Sequence, residues 1–162
     1  MNQTFTLALI AHDRKKVELA NFILQHRGSL TRLRLLATRG TGTIIQKQTG
    51  LRVELLEHGP AGGDRQIGQI AADNGIQAVI FFRDPVSPGP HEPDFAELLT
   101  VCDAQEIPFA TNPATAQALL HFLQTSPDRG VVSARPWAYV EPEHSTHRTG
   151  SALPAIKQSS QV

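Results

Sequence analysis

The stretch AVIFFRDP at residues 78–85 runs through five apolar residues and then ends abruptly in charged and turn-forming ones. A short, continuous apolar run of this kind is typical of a parallel strand that helices cover on both faces. A second run, TLALIA at residues 6–11, is followed directly by His12 and Asp13. On this pattern we predict strands at residues 5–11, 33–38, 51–57, 76–82 and 108–111.

Helical patterns separate these strands. Apolar residues recur at helical spacing in residues 14–26 and 64–74, and Gly75 is predicted to end the second helix in the left-handed conformation. Pro93 and Pro113 suit the first turns of two further helices, which run to about residues 105 and 123. The alternation predicts a doubly wound α/β fold, a flavodoxin-like or Rossmann-like three-layer sandwich around a five-stranded, mainly parallel sheet.

Composition excludes several classes of protein. The 162 residues carry 15 basic and 15 acidic side chains, a balance without the basic footprint of nucleic-acid or membrane-surface binding. The apolar runs are far shorter than the roughly 20 residues that span a bilayer, and the N-terminal charges follow the first run, unlike those of a signal peptide. The single Cys102 excludes an intramolecular disulfide and a Cys-rich zinc site. We therefore expect a cytoplasmic protein without nucleic-acid or membrane partners.

The chain changes character after its first 127 residues, which we predict to form one domain. Residues 128–140 are expected to form a short C-terminal extension, in which Trp137 and Tyr139 pack on the domain or on a neighbouring subunit. Residues 141–162 have little periodicity, and we expect them to be disordered.

Polar or glycine-rich residues follow every predicted strand, and the carboxyl ends of parallel strands share one edge of the sheet. They are His12-Asp13, the run Arg39-Gly40-Thr41-Gly42-Thr43, residues 58–64, Asp84-Pro85 leading to His91, and Asn112. Lys16 lies one helical turn beyond His12 and can reach back over the same edge. Glycines and a helix N-terminus together predict a phosphate site, although threonines that cap a helix explain the same residues. The glycine motifs typical of nucleotide binding are absent, which disfavours nucleotide chemistry.

Two residues stand out as acid–base groups. Asp64 follows Gly62-Gly63, where the backbone can approach a ligand, and partial burial there would raise the pKa of its carboxyl and make it a base. His91 lies in a loop with four of the chain's eleven prolines, which fixes its position. Asp84 is expected to orient an imidazole or to pair with Lys16. No His or Cys pair has metal-ligand spacing, so we expect no metal.

Four motifs in order closely resemble the methylglyoxal synthase family over residues 5–125. They are AHD-x-x-K at residues 11–16, GPAGGD at 59–64, FFRDPVSPGPHEPD at 81–94 and ATNPATA at 110–116. The resemblance implies a homohexameric enzyme that converts dihydroxyacetone phosphate to methylglyoxal and inorganic phosphate. It implies no cofactor, neither metal nor coenzyme, and phosphate is expected to inhibit.

The same resemblance implies roles for individual residues. Asp64 matches the catalytic carboxylate that accepts and returns a proton, and His91 matches the imidazole that binds the substrate oxygens. The positions implied for substrate and phosphate binding are His12, Lys16, Thr38, Arg39, Gly40, Thr41, His58 and Gly59. The acidic residues implied to line the site are Asp13, Asp84 and Asp94. Arg39 and Gly40 stand where the family usually has glycine and threonine, and His58 stands where it usually has serine.

Two other interpretations compete with the enzyme. Domains of this kind also serve as regulatory modules, which would make the chain a non-catalytic sensor of a phosphorylated metabolite. Retention of both Asp64 and His91 favours the enzyme, because an anion sensor needs no base. The strand-end residues Asp13 and Asp84 are also typical of a phosphoacceptor receiver domain, but that fold needs a lysine where this chain has Thr111-Asn112-Pro113.

Overall fold

The computed structural model describes residues 5–87 and 92–125. Within these ranges the strands are β1 (Thr6–Ala11), β2 (Arg34–Thr38), β3 (Glu54–Leu56), β4 (Ala78–Phe82) and β5 (Phe109–Ala110). They form one sheet in the order β3-β2-β1-β4-β5, and every neighbouring pair is parallel. The predicted doubly wound α/β sheet is confirmed, and each predicted strand is present in a shorter form.

The described helices are α1 (Lys16–Gln25), α2 (Arg27–Leu30), α3 (Arg39–Thr49), α4 (Gly63–Ala72), α5 (Glu92–Ala104) and α6 (Pro113–Thr125). Two single 3-10 turns, Asp13–Lys15 and Gly59–Ala61, precede α1 and α4. The short α2 is absent from the sequence prediction. The glycine-rich run after β2, which was predicted to lie at the start of a helix, forms the first turn of α3, which begins at Arg39.

The central strand β1 is buried along its whole length and divides the core into two clusters. Leu7 and Leu9 belong to the first cluster, and Ala8 and Ile10, on the opposite face, belong to the second. The helical residues of the first cluster come from α1, α2, α3 and α6: Leu19, Ala20, Phe22, Ile23, Leu30, Ile45, Ala116, Leu119 and Leu120. Those of the second come from α4 and α5: Ile67, Ala71, Phe95, Leu98 and Cys102. The sheet is therefore the middle layer of three, with helices on both of its faces.

The direction of winding reverses between β1 and β4, which are neighbours in the sheet although two strands separate them along the chain. The chain first winds outward from β1 to β3 and then returns to place β4 on the other side of β1. The backbone N–H of His12 donates to the carbonyl of Phe82 over 3.1 Å, so the pairing continues one residue beyond β1. A crevice for ligands is expected at the carboxyl ends of the strands, next to this switch point.

Two glycines near α4 act differently from the sequence prediction. Asn74, with a φ of 57°, takes the left-handed conformation that was predicted for Gly75. Gly75 serves close packing instead, because a Cβ there would lie 2.6 Å from Cγ2 of Ile70. Similarly, Gly63 packs against the carbonyl of Glu57, which a Cβ would clash with, so the close approach is to the protein's own backbone.

Candidate active site

A small pocket opens at the carboxyl ends of the strands, on the β1 side of the switch point. Its described lining consists of Ile10, Ala11, His12, Lys16, Thr38, Gly40, His58, Gly59, Asp64 and Phe81. The polar members and both glycines were predicted as site residues, and the structure brings them together. The apolar wall of Ile10, Ala11 and Phe81 was not predicted. Its only signal in the sequence is that these residues end two buried strands.

His12 is fixed at the switch point by the loop that follows β4. The ring is buried, and its Nδ1 accepts a hydrogen bond from the backbone N–H of Asp84 over 2.9 Å. The imidazole also packs nearly perpendicular to the ring of Phe81, with the ring centroids 5.1 Å apart. Because Nδ1 is an acceptor, the neutral imidazole carries its proton on Nε2. His12 is therefore a hydrogen-bond donor among the residues that line the pocket.

Asp64 is a carboxylate in the first turn of α4 with only 2% of its surface exposed. The preceding turn positions it, because the N–H groups of Ala61 and Gly63 both donate to the carbonyl of His58. Gly62 lies between these two donors with a φ of 101°, and α4 begins at the next residue, Gly63. A carboxylate at this position lies close to the pocket and is shielded from bulk water.

Lys16 extends over the N-terminus of α3. Its Nζ lies 2.5 Å from Oδ1 of Asp13 and 2.8 Å from the point that a Cβ on Gly40 would occupy. Gly40 therefore provides the space for the ammonium group. Asp13 itself is exposed over 82% of its side chain, so it holds Lys16 from the solvent side. The alternative pairing of Lys16 with Asp84 is not formed.

The first backbone N–H of α3, that of Arg39, donates to the carbonyl of Glu57 over 3.2 Å. Thr38 is the N-cap residue, yet its hydroxyl makes no capping bond and lies 3.3 Å from the hydroxyl of Thr41. Thr43 donates to the carbonyl of Arg39, within the same helix. The first N–H groups of a helix have no partner inside it and carry partial positive charge. Capping by threonine side chains therefore does not account for this segment.

Several predicted site residues lie outside the described lining of the pocket. Thr41 is fully buried beneath Thr38. The guanidinium of Arg39 lies 3.7 Å from the carboxylate of Glu57, and both side chains are about half exposed. Asp94 lies 3.6 Å from Nε of Arg65. His91 lies outside the described residues, as do the predicted extension at residues 128–140 and the tail at residues 141–162.

Asp84 is occupied by its own loop. Its Oδ1 accepts the backbone N–H groups of Val86 and Ser87 at 3.0 and 3.2 Å. The Val86 bond is the main cause that holds the pKa of this carboxyl below its usual value, and the Ser87 bond and the charges of Arg14 and Lys15 add to it. Asp84 thus shapes the loop whose backbone positions His12.

The described residues contain no group of three or more His, Cys, Asp or Glu side chains that could hold a metal ion. No helix in the described part of the chain is long and apolar enough to cross a membrane.

Comparison with known proteins agrees with the geometry. Residues 18–111 match the MGS-like domain family. The chain is 49% identical to the methylglyoxal synthase of Moorella thermoacetica over 121 residues, which cover 75% of this chain and 94% of that protein. It is 48% identical to the methylglyoxal synthase of Thermus thermophilus over 118 residues, covering 73% of this chain and 94% of that protein.

A solved structure supports the same conclusion. The crystal structure of methylglyoxal synthase from Elizabethkingia anophelis NUHP1 superposes with a TM-score of 0.72 at 37% identity, covering 81% of this chain and 84% of that one. The chain is about half identical to these relatives and matches nearly their whole length, so the receiver-domain interpretation is excluded. The chain belongs to the methylglyoxal synthase family.

Proposed function

We propose that this chain converts dihydroxyacetone phosphate to methylglyoxal and inorganic phosphate through an enediolate. As a member of the methylglyoxal synthase family it is a lyase. One observation carries the assignment of its chemistry. A nearly fully buried carboxylate, Asp64, lines the same small pocket as the ammonium of Lys16 and the first turn of α3. A base and an anion site side by side are what this elimination requires.

The phosphate group of the substrate binds at the start of α3. Lys16 supplies a full positive charge above Gly40, and the helix adds its N-terminal N–H groups. Gly59 and His58 border the same space. Thr38 and Thr41 support it from beneath through their paired hydroxyls. Arg39 can join when it leaves Glu57, at little cost because that ion pair is exposed.

Proton transfer begins at the hydroxymethyl carbon of the substrate. Asp64 takes a proton from this carbon, and the electron pair of the broken C–H bond moves toward the carbonyl oxygen to form the enediolate. His12 donates from Nε2 to a developing oxyanion, and His91 is assigned a second donor role that also moves a proton between the two oxygens. Hydrogen bonds of this kind stabilise charge that appears only in the transition state.

Phosphate leaves in the second step. The enediolate electrons form a new C=C bond as the C–O bond to phosphate breaks, which gives inorganic phosphate and the enol of methylglyoxal. Asp64 returns its proton to the methylene carbon, and the enol O–H proton passes to the released phosphate, which completes methylglyoxal and gives hydrogen phosphate. Lys16 and the α3 N–H groups stabilise the departing dianion, which makes inorganic phosphate a product inhibitor at the same position.

A product assay separates this function from the sensor alternative. Purified wild-type protein with dihydroxyacetone phosphate and a chelator is expected to release methylglyoxal and phosphate in equal amounts. Folded protein that binds phosphate but releases neither product would favour the sensor and contradict the proposal.

The wider setting of the enzyme is part of the same proposal. We propose a cytoplasmic homohexamer, in which residues 1–127 form the catalytic domain. Light scattering tests the assembly, and a dissociated monomer with full activity would contradict it. Limited proteolysis tests the domain boundary, with cleavage expected after residue 127 and retained activity in the remaining core.

A further inference from the structure

We propose that His58 is a second, proton-dependent ligand for the phosphate group, so that dianions bind more tightly as the pH falls. The inference deepens the proposed function and rests on its phosphate site. It concerns an exposed imidazole next to the first turn of α3, and imidazole is a side chain that gains a positive charge as the pH falls.

The side chains of His58 and Lys16 both lie close to the same position above Gly40. Nδ1 of His58 lies 3.9 Å from the position of a Cβ on Gly40, and Nζ of Lys16 lies 2.8 Å from it. Glycine leaves this point without a side-chain atom. An anion that enters above Gly40 therefore meets the ammonium and the imidazole together, in front of the first turn of α3.

The fold uses the backbone of His58 and leaves its side chain for a ligand. Its carbonyl accepts the N–H groups of Ala61 and Gly63 at 2.9 and 3.0 Å. The side chain is exposed and makes no capping bond to the turn that follows. The imidazole can therefore turn toward an anion, and its replacement should not disturb the fold.

The charged groups around His58 come in neutralised pairs. Lys16 on α1 is paired with Asp13, and Arg39 on α3 is paired with Glu57 on the chain just before His58. Among the residues of the pocket that the structure describes, the other titratable groups are the buried Asp64 on α4 and His12 after β1. A positive charge gained by His58 therefore adds directly to the attraction for a dianion, and binding of the dianion draws a proton onto the imidazole.

Sulfate is the suitable probe, because it remains a dianion over the whole range in which phosphate itself titrates. Its dissociation constant is measured by calorimetry at about pH 5.5 and about pH 8, at constant ionic strength, in buffers of different ionisation enthalpy. We expect wild-type protein to bind sulfate roughly threefold to fivefold more tightly at the lower pH and to take up protons on binding.

The test variant is His58→Ser, which keeps a small neutral donor, and the matched control is His121→Ser on an exposed position of α6. His58→Ser should lose the tighter binding of sulfate at the lower pH and the proton uptake on binding, whereas His121→Ser should retain both. Unfolding midpoints check that both proteins fold, and His58→Asn serves as a second variant.

An unchanged pH dependence in His58→Ser and His58→Asn would overturn the inference and assign the proton to another group. Failure of wild-type protein to bind sulfate at either pH would overturn it as well. Turnover is measured separately: active protein with pH-independent sulfate binding refutes only the role of His58, whereas inactive protein with this pH dependence refutes the proposed function.

Discussion

The backbone N–H of Asp84 donates to Nδ1 of His12 over 2.9 Å, across the point where the winding of the sheet reverses. This one bond joins the loops that follow two adjacent strands and selects the imidazole tautomer with its proton on Nε2. The imidazole proposed to donate to the substrate is thus oriented by the backbone N–H of Asp84, and the carboxylate of Asp84 holds the loop of that N–H in place.

Two substitutions separate the roles of the two His12 nitrogens. His12→Asn places an amide oxygen near Nδ1, so the fold should retain its stability while kcat/KM falls by about 100-fold through loss of the Nε2 donor. His12→Gln removes the acceptor and leaves a buried N–H without a partner, which should cost about 1–3 kcal/mol of unfolding free energy. Urea unfolding and steady-state kinetics measure the two effects. Equal stability of both variants would contradict the assigned tautomer.

Two glycines in the first turn of α3 provide a matched pair. In Gly40→Ala the new Cβ would lie 2.8 Å from Nζ of Lys16 and displace it, raising KM by roughly fivefold. Stability should not fall, because alanine favours a helix by up to about 1 kcal/mol. In Gly42→Ala the Cβ would clash with Leu55 and lie 3.0 Å from Cβ of Ala37, which should destabilise the fold by about 1–3 kcal/mol. A destabilised Gly40→Ala with unchanged KM would argue against the role of the open space.

Acid should weaken the protein through Asp84. The folded state holds the pKa of this carboxyl below its ordinary value of 3.8, mainly through the N–H of Val86, so ionised Asp84 stabilises the fold above that value. This contribution is lost as the pH falls from about 5 through the folded-state pKa. Asp84→Asn keeps an acceptor but cannot titrate. Its urea midpoint should therefore decline less than that of the wild type on acidification, and parallel declines would refute the assignment.

Cys102 should be inert in the folded protein. It is fully buried on α5, and burial raises the pKa of its thiol to about 12. Alkylation by iodoacetamide near pH 8 should proceed only in denaturant, because the thiolate is the reactive form. Rapid labelling under native conditions, followed by mass spectrometry, would show that α5 opens readily.

The sequence predicted most of the sheet because burial on both faces leaves continuous apolar runs. The predicted strand bounds were wrong where apolar residues are buried outside a strand. Leu51 and Val53 are buried in front of β3, so the predicted strand at residues 51–57 begins too early. Gly75 was assigned a backbone conformation, although its contact with Ile70 decides its identity. Such a contact exists only in the folded chain.

The polar edge of the site was predictable from topology, since residues after parallel strands converge. Its pairings were not. Asp13 pairs with the ammonium of Lys16, and Glu57 pairs with the guanidinium of Arg39. Which acid pairs with which base depends on the directions of the side chains, and the spacing of residues in the sequence does not give these. The glycine-rich run after β2 was predicted at a helix N-terminus, and α3 begins there at Arg39.

The central claim is that Asp64 is the base, and Asp64→Asn tests it most directly. The amide has the same shape, so the variant should fold and bind phosphate, while methylglyoxal and phosphate release from dihydroxyacetone phosphate should fall by about 100-fold to 10,000-fold. Asp73→Asn, at the other end of α4 and exposed, is the matched control and should keep full activity. Turnover by folded Asp64→Asn within a few-fold of the wild type would contradict the account.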